Sequence, residues 1–253
     1  MMRDLSSRAQ ITATSFVNDY SWGDFPGDPQ ELVKSCFDLH LYIAKWGSRR
    51  LIIRLPKHVM DPADLVAFIS ELDWVTVSTS DDHLMIDIDR NDVDCGCAWI
   101  NGSGWLDTLA PLRTDLLSGD LRLFYLLCLT SIGPDFPPDA VKEPLPGIGP
   151  LTGALEAAMD FLDIDRDLVV AAAATPHAES DPDAIHAFVS GIAESEKTDL
   201  LIRLMEGDAH IGSDLQRRLR LQTGDPSERR TVAELRMIAE DIAGKRKEAR
   251  GKR

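Results

Sequence analysis

After Asp28, apolar side chains at Leu32, Val33, Cys36, Phe37, Leu39 and Ile43 recur at helical spacing. That spacing predicts a helix ending near Trp46, with Glu31 completing a capping box and Gly47 as the C-terminal cap. Arg50 to Leu55 then reads as a strand rich in isoleucine and leucine and stopped by Pro56. A second helix is expected from Asp61 through Leu65, Val66, Phe68, Ile69 and Leu72. Trp74 to Thr79 and His83 to Asp89 flank Ser80-Asp81-Asp82, and the second run alternates Leu84, Ile86 and Ile88 against Met85, Asp87 and Asp89. That is the pattern of a β-hairpin.

The order helix, strand, helix, strand, strand predicts an α+β fold, with a small N-terminal sheet covered by helices on one side. Residues 90–104 read as a loop or an edge strand around Cys97 to Ile100, and two helices, Trp105 to Leu117 and Asp120 to Ser131, break at Ser118-Gly119. Residues 133–150 hold six of the fourteen prolines, a density that neither helix nor interior strand tolerates, so they are expected to form a connector. Beyond it the apolar pattern is helical. Helices are expected at Pro150–Leu162, Arg166–Ala174, Pro182–Glu194, Glu196–Glu206, Ser213–Leu221 and from Val232 to about Lys247, the last opened by a Thr231/Glu234 capping box. The resulting organisation is a mixed α/β domain over 1–132, the connector over 133–150, a helical domain over 151–243 and a basic, frayed tail over 244–253.

Four Asp-Pro pairs (Asp28-Pro29, Asp61-Pro62, Asp181-Pro182, Asp225-Pro226) punctuate this pattern. Aspartate accepts from the free N–H groups of a first helical turn, and the following proline sacrifices no hydrogen bond there. They read as helix starts.

Charge sharpens the picture. The net charge is −15, but residues 217–253 carry 12 Lys/Arg against 6 Asp/Glu, a balance of +6, while the other 216 residues carry 15 against 36, a balance of −21. So acidic a body repels polyphosphates, which argues against nucleic-acid binding by the main domains. The basic C-terminal helix is suited either to an acidic partner or to a purely solvated role. No stretch approaches the roughly 18 to 20 apolar residues of a membrane span. Four cysteines and a polar N-terminal run without a secretory core point to a cytoplasmic protein with reduced thiols.

Candidate chemistry is sparse. Cys36 and His40, four apart on the predicted helix, would share a face, and Cys95 and Cys97 could complete a tetrahedral zinc set, although Cys-x-Cys is a poor knuckle and the thiols equally suit core and loop positions. Asp163-x-Asp165-x-Asp167 opens like a calcium loop but places Leu168 where glycine belongs and Ala174 where glutamate belongs. Asp87 and Asp89, two apart on a strand, share a face and with Asp92 and Asp94 could gather a divalent ion, or could simply form a solvent-facing surface. Gly147 to Gly153 lacks the Lys-Ser/Thr of a phosphate loop and does not follow a strand. No cofactor is expected.

The least ordinary segments are Tyr20 to Asp28 and Trp46 to Arg50. Trp22, Asp24, Trp46, Arg49, Arg50 and Arg54 form a candidate ligand platform, aromatics stacking while guanidinium groups hold a carboxylate or phosphate. Alternatively Trp22 and Phe25 staple the first helix to the sheet and the arginines pair with the acidic body. The same stretches, Trp22-Gly-Asp-Phe-Pro-Gly-Asp-Pro29 and Ala44 to Pro56, resemble an uncharacterised family of bacterial proteins, a likeness that extends into the connector and the helices after it. The resemblance implies a bacterial intracellular protein and carries no activity, cofactor or catalytic residue with it.

With no complete catalytic motif, the expected role is that of a non-enzymatic interaction or adaptor protein with a protein partner at its helical surfaces. Two alternatives stay open: a metal-dependent hydrolase or phosphoryl-transfer enzyme using Asp87 and Asp89, and an acidic mimic of nucleic acid.

Overall fold

The structure, a computed structural model, describes residues 10–12, 15–20, 27–80, 82–91, 93, 102–132, 137–140, 148–173, 182–206, 211, 215, 218, 219 and 229–251. It is an α+β fold: a six-stranded N-terminal sheet with helices against it, followed by an all-helical C-terminal half. The chain divides into two compact units, residues 1–114 with 152–164 and residues 115–151 with 165–253.

In the first unit, strands β1 (Gln10–Ile11) and β2 (Ser15–Tyr20) precede helix α1 (Pro29–Ser35) and strands β3 (Leu39–Ala44) and β4 (Arg49–Pro56). Short 3-10 turns at Lys57–Val59 and Pro62–Leu65 lead into α2 (Val66–Ile69), and the hairpin of β5 (Val75–Thr79) and β6 (His83–Arg90) follows. The sheet order is β1-β2-β3-β4-β6-β5. Among the described strands only β2 and β3 pair in parallel, because α1 carries the chain back across the sheet between them; the other described pairs are antiparallel.

Two of the four Asp-Pro starts, Asp28-Pro29 and Asp61-Pro62, behave as the pattern predicts, while Asp181 and Asp225-Pro226 lie outside the described residues. Asp28 Oδ1 accepts from Gln30 N at 2.9 Å, and Asp61 Oδ1 accepts from Ala63 N at 2.9 Å, each with proline at the next position. The hairpin and the strand across Arg50 to Leu55 also form.

The first helix does not run to Trp46. It ends at Ser35, and Leu39–Ala44 is a strand whose six residues are all buried. A strand buried on both faces is apolar at every position, so its residues also satisfy helical spacing, and periodicity cannot separate the two. Gly47, with φ of 97°, accordingly serves the β3–β4 turn rather than a helix end, its N–H bonding to Ala44 O at 3.1 Å.

Helices lie on both faces of this sheet, not one. Leu41, Ile43, Leu51, Ile53, Leu55, Leu84, Ile86 and Ile88 form a fully buried aliphatic face. Helices α3 (Gly102–Leu109) and α6 (Gly153–Phe161) pack together, with Trp105 and Phe161 meeting edge-on at 5.4 Å between centroids. The opposite face carries a core of Phe16, Phe37, Tyr42 and Ala44 with Leu32 of α1 packed against it.

Helix α4 (Pro111–Leu117) contains the division between the units. In the second unit α5 (Arg122–Leu129) is buried at all eight positions, and Gly119 with φ of 80° makes the expected break before it. Helix α7 (Arg166–Ala173) packs against α5 and against α10 (Val232–Gly251), while α8 (Pro182–Gly191) and α9 (Glu194–Met205) lie between them in sequence. Thr231 and Glu234 form the predicted capping box, Thr231 N donating to Glu234 Oε2 at 2.7 Å and Glu234 N to Thr231 Oγ1 at 3.3 Å. Helix α10 extends to Gly251, past the Gly244 where fraying was expected; Lys245–Asp241 (2.6 Å) and Arg246–Asp167 (2.7 Å) ion pairs lie along that stretch. Of the expected Ser213–Leu221 helix only residues 215, 218 and 219 are described, each helical, and most of the proline-rich connector lies outside the described residues. No described helix is long and apolar enough to cross a membrane.

Candidate functional site

Alternation along β4 sends neighbouring arginines to opposite faces. Arg49 points to the aliphatic side, where it is buried, donates to Ala44 O at 3.2 Å and lies 5.9 Å over the Phe161 ring. Arg50 and Arg54 point to the other side. Arg54 donates to Lys34 O at 3.1 Å and Asp38 Oδ1 at 3.0 Å, tying the end of α1 to the sheet. Arg113 adds to that clamp, its Nη2 3.3 Å from Asp38 Oδ1 and its Nε donating to Arg54 O. The three arginines therefore have separate settings. Trp22 and Asp24 lie outside the described residues.

Arg50 and Trp46 do come together. With Tyr42, Ser48, Asp89 and Asn91 they line a cleft of about 330 Å³ beside the β3–β4 turn, where Trp46 is half exposed. A second cleft of about 610 Å³ shares Arg50, Asp89 and Asn91 and continues past Gln30, Trp74, Thr76 and Asp87. Between the two, Arg50 forks onto Asp87: Nε donates to Oδ1 at 2.9 Å and Nη2 to Oδ2 at 2.7 Å. Gln30 Nε2 from α1 donates to the same Oδ2 at 2.7 Å, and Asp89 Oδ2 lies 3.6 Å from Arg50 Nε. These carboxylates hold the guanidinium above its usual pKa, the hydrogen bonding that Arg50 donates to Asp87 being the largest cause.

Two consequences follow for the chemistry. Arg50 is already matched to carboxylates, so the clefts lack the surplus positive charge that an anion platform requires. Asp87, in turn, has both oxygens occupied, and a divalent ion would have to displace a guanidinium and an amide to reach it. Asp92 and Asp94 lie outside the described residues.

The Cys36–His40 pair also comes apart, because a helix end and a strand replace the helix that would have aligned them. Cys36 caps α1 and is exposed, whereas His40 is fully buried in β3 and stacks on Phe16 at 5.5 Å. Burial pushes the His40 pKa down to about 4, helped by the Arg50 charge and opposed by Asp87 and a hydrogen bond with the Phe16 backbone. Cys95 and Cys97 lie outside the described residues, among which no three His, Cys, Asp or Glu side chains are grouped to hold a metal ion.

A surface the motif reading did not single out stands on α8 and α9. Among their described side chains only Leu200 is buried, while Ile185, Val189, Leu201, Ile202, Leu204 and Met205 are exposed, Leu201 at 61% and Met205 at 86%. The signal was present in the sequence: five of the six residues from Leu200 to Met205 are apolar, more than one buried helical stripe can take.

No family model, curated protein or solved structure matches the chain.

Proposed function

We propose that this chain is a non-enzymatic interaction protein that engages a protein partner through the apolar surface of α8 and α9. The observation that carries this reading is the mismatch between apolar content and burial there. A helix in water draws most of its stability from burying an apolar face, yet this pair buries one described side chain and leaves six large apolar ones in solvent. The four on α9 alone expose on the order of 400 Å² of apolar area, the scale of the largest patch an ordinary monomer shows, which is commonly functional.

The sheet clefts support the same reading. Arg50, Asp87 and Asp89 hold one another and Asp87 also holds Gln30 of α1, leaving Asp87 engaged as a structural ligand of Arg50. A cytoplasmic setting belongs to this proposal, supported by the unbridged, exposed thiol of Cys36.

Photo-crosslinking tests the interaction reading. A photoreactive residue replacing Leu201, with one replacing exposed Glu240 of α10 as control, is expressed in the native host. Discrete higher-mass adducts from position 201 and not from 240 are expected. Adducts from neither position would overturn the reading.

A further inference from the structure

We infer that the partner seated on α9 is a basic amphipathic helix. This rests on the interaction reading above and adds the chemistry of the occupant.

At 100° per residue, Leu204, Leu201, Met205 and Ile202 sweep in that order around the last turn of α9, forming an apolar ridge that starts beside the inward-facing Leu200 and ends with Ile202 on the far side of the helix. Next around the helix, beyond Ile202, come Asp199 and Glu206. These are seven residues apart, so they sit two turns and roughly 10 Å from each other on one edge of the ridge. Both are exposed. The remaining acids of the helix are spoken for: Glu194 pairs with Lys197 at 2.8 Å, and Glu196 pairs with Arg218. The ridge thus has one acidic border with a two-turn repeat.

That geometry selects the occupant. An amphipathic helix laid along the ridge presents apolar anchors at i and i+3 or i+4 to Leu201 and Met205, and places residues seven apart against the two carboxylates. Lysine or arginine at those positions completes the contact. Met205, the most exposed of the ridge residues, is a flexible and polarizable side chain that adapts to anchors of different shape. The −21 balance of residues 1–216 accelerates encounter with a cationic partner at low salt. A second copy packed ridge to ridge would instead bring two acidic borders and two strongly acidic bodies together.

The test uses the full chain and two dye-labelled designed peptide helices with one leucine pattern, carrying lysine at every polar position in one and glutamate in the other, read by fluorescence anisotropy. The lysine peptide is expected to bind at least about tenfold more tightly than the glutamate peptide. The D199K/E206K variant is expected to invert that preference, and L201D/M205D to abolish binding of both, with circular dichroism verifying that each variant stays folded. A lysine preference untouched by D199K/E206K overturns the inference, because the acidic body as a whole would then be the attractant. Equal binding of both peptides, lost in L201D/M205D, overturns the basic occupant and leaves the interaction surface standing. Binding of neither peptide, alongside self-association in sedimentation that L201D/M205D removes, makes a second copy the occupant and likewise overturns the inference. Absence of peptide binding, self-association and photo-adducts removes the interaction reading itself.

Discussion

Arg50 lies directly opposite Asp89 in the β4–β6 ladder, yet its guanidinium forks onto Asp87, the residue opposite Ile52. The diagonal choice is settled by α1. Gln30 reaches down to Asp87 Oδ2 and, with Arg50, surrounds a carboxylate that is 7% exposed, whereas the Asp89 side chain stays 44% exposed and solvated. A shielded carboxylate with three donors binds a guanidinium better than a solvated one.

This pairing predicts an asymmetry between single and double substitutions. Asp87→Leu removes the carboxylate onto which the Arg50 guanidinium, 22% exposed, is forked and should cost about 2–4 kcal/mol of unfolding free energy. Arg50→Met combined with Asp87→Leu removes both charges and should cost distinctly less than the sum of the singles. Urea denaturation of the four members of the cycle checks it; additive effects would mean that the pair contributes no coupling.

The same region shows what a single sequence discloses. Strands β4, β5 and β6 were legible because each alternates or sits between clear breakers, and the capping box at Thr231 and Glu234 was legible because it is local chemistry. Strand β3 was not, since burial on both faces erases the period of two on which strand recognition depends. Grouping Arg49 with Arg50 as one platform overlooked that same period: neighbours on a strand cannot share a face. The Arg50–Asp87 pairing lies deeper still, because it depends on ladder register and on α1 crossing above it. On α9 the apolar residues were plain, but their exposure is a tertiary fact.

A close approach in the second unit sets the next expectation. A Cβ added at Gly149 would fall 2.7 Å from the Ala173 carbonyl oxygen and 3.4 Å from its Cα. The obstacle is helical backbone at the end of α7, whose preceding carbonyls, Ala171 and Ala172, accept from Arg230 at 2.7 and 2.9 Å. Gly149→Ala should therefore destabilise by about 1–3 kcal/mol, the scale of overpacking. A thermal unfolding midpoint equal to that of the parent protein would contradict it.

Asp120 and Arg122 form the most enclosed ion pair among the described residues, each side chain 7% exposed. Arg122 Nε and Nη2 both bond Asp120, while Nη1 donates to Pro150 O. Lysine keeps the charge but not the fork. Arg122→Lys should lose about 2 kcal/mol, and Arg122→Met about 3–5 kcal/mol, because the second leaves a buried carboxylate without its cation. Chemical denaturation gives both values; equal stability of the lysine variant and the parent would show that charge alone suffices.

His40 makes stability depend on pH in a defined window. Its pKa in the folded chain is about 4, set first by burial between Phe16 and the sheet, then by the Arg50 charge, with Asp87 and the Phe16 backbone opposing. Unfolded, it returns to about 6.5. Between those values the unfolded chain holds a proton that the folded chain does not, so unfolding takes up protons and stability falls as pH falls. The contribution is complete above about pH 6.5 and is lost progressively down to about pH 4, where roughly 3 kcal/mol has gone. His40→Leu fills a similar volume without a titrating group, so the difference in unfolding free energy between parent and variant should change by that amount across the window and stay flat above it. Denaturation curves at pH 7.5, 6, 5 and 4.5 measure this directly, and parallel pH profiles for the two proteins would mean that the imidazole accepts its proton in the folded state as readily as in water.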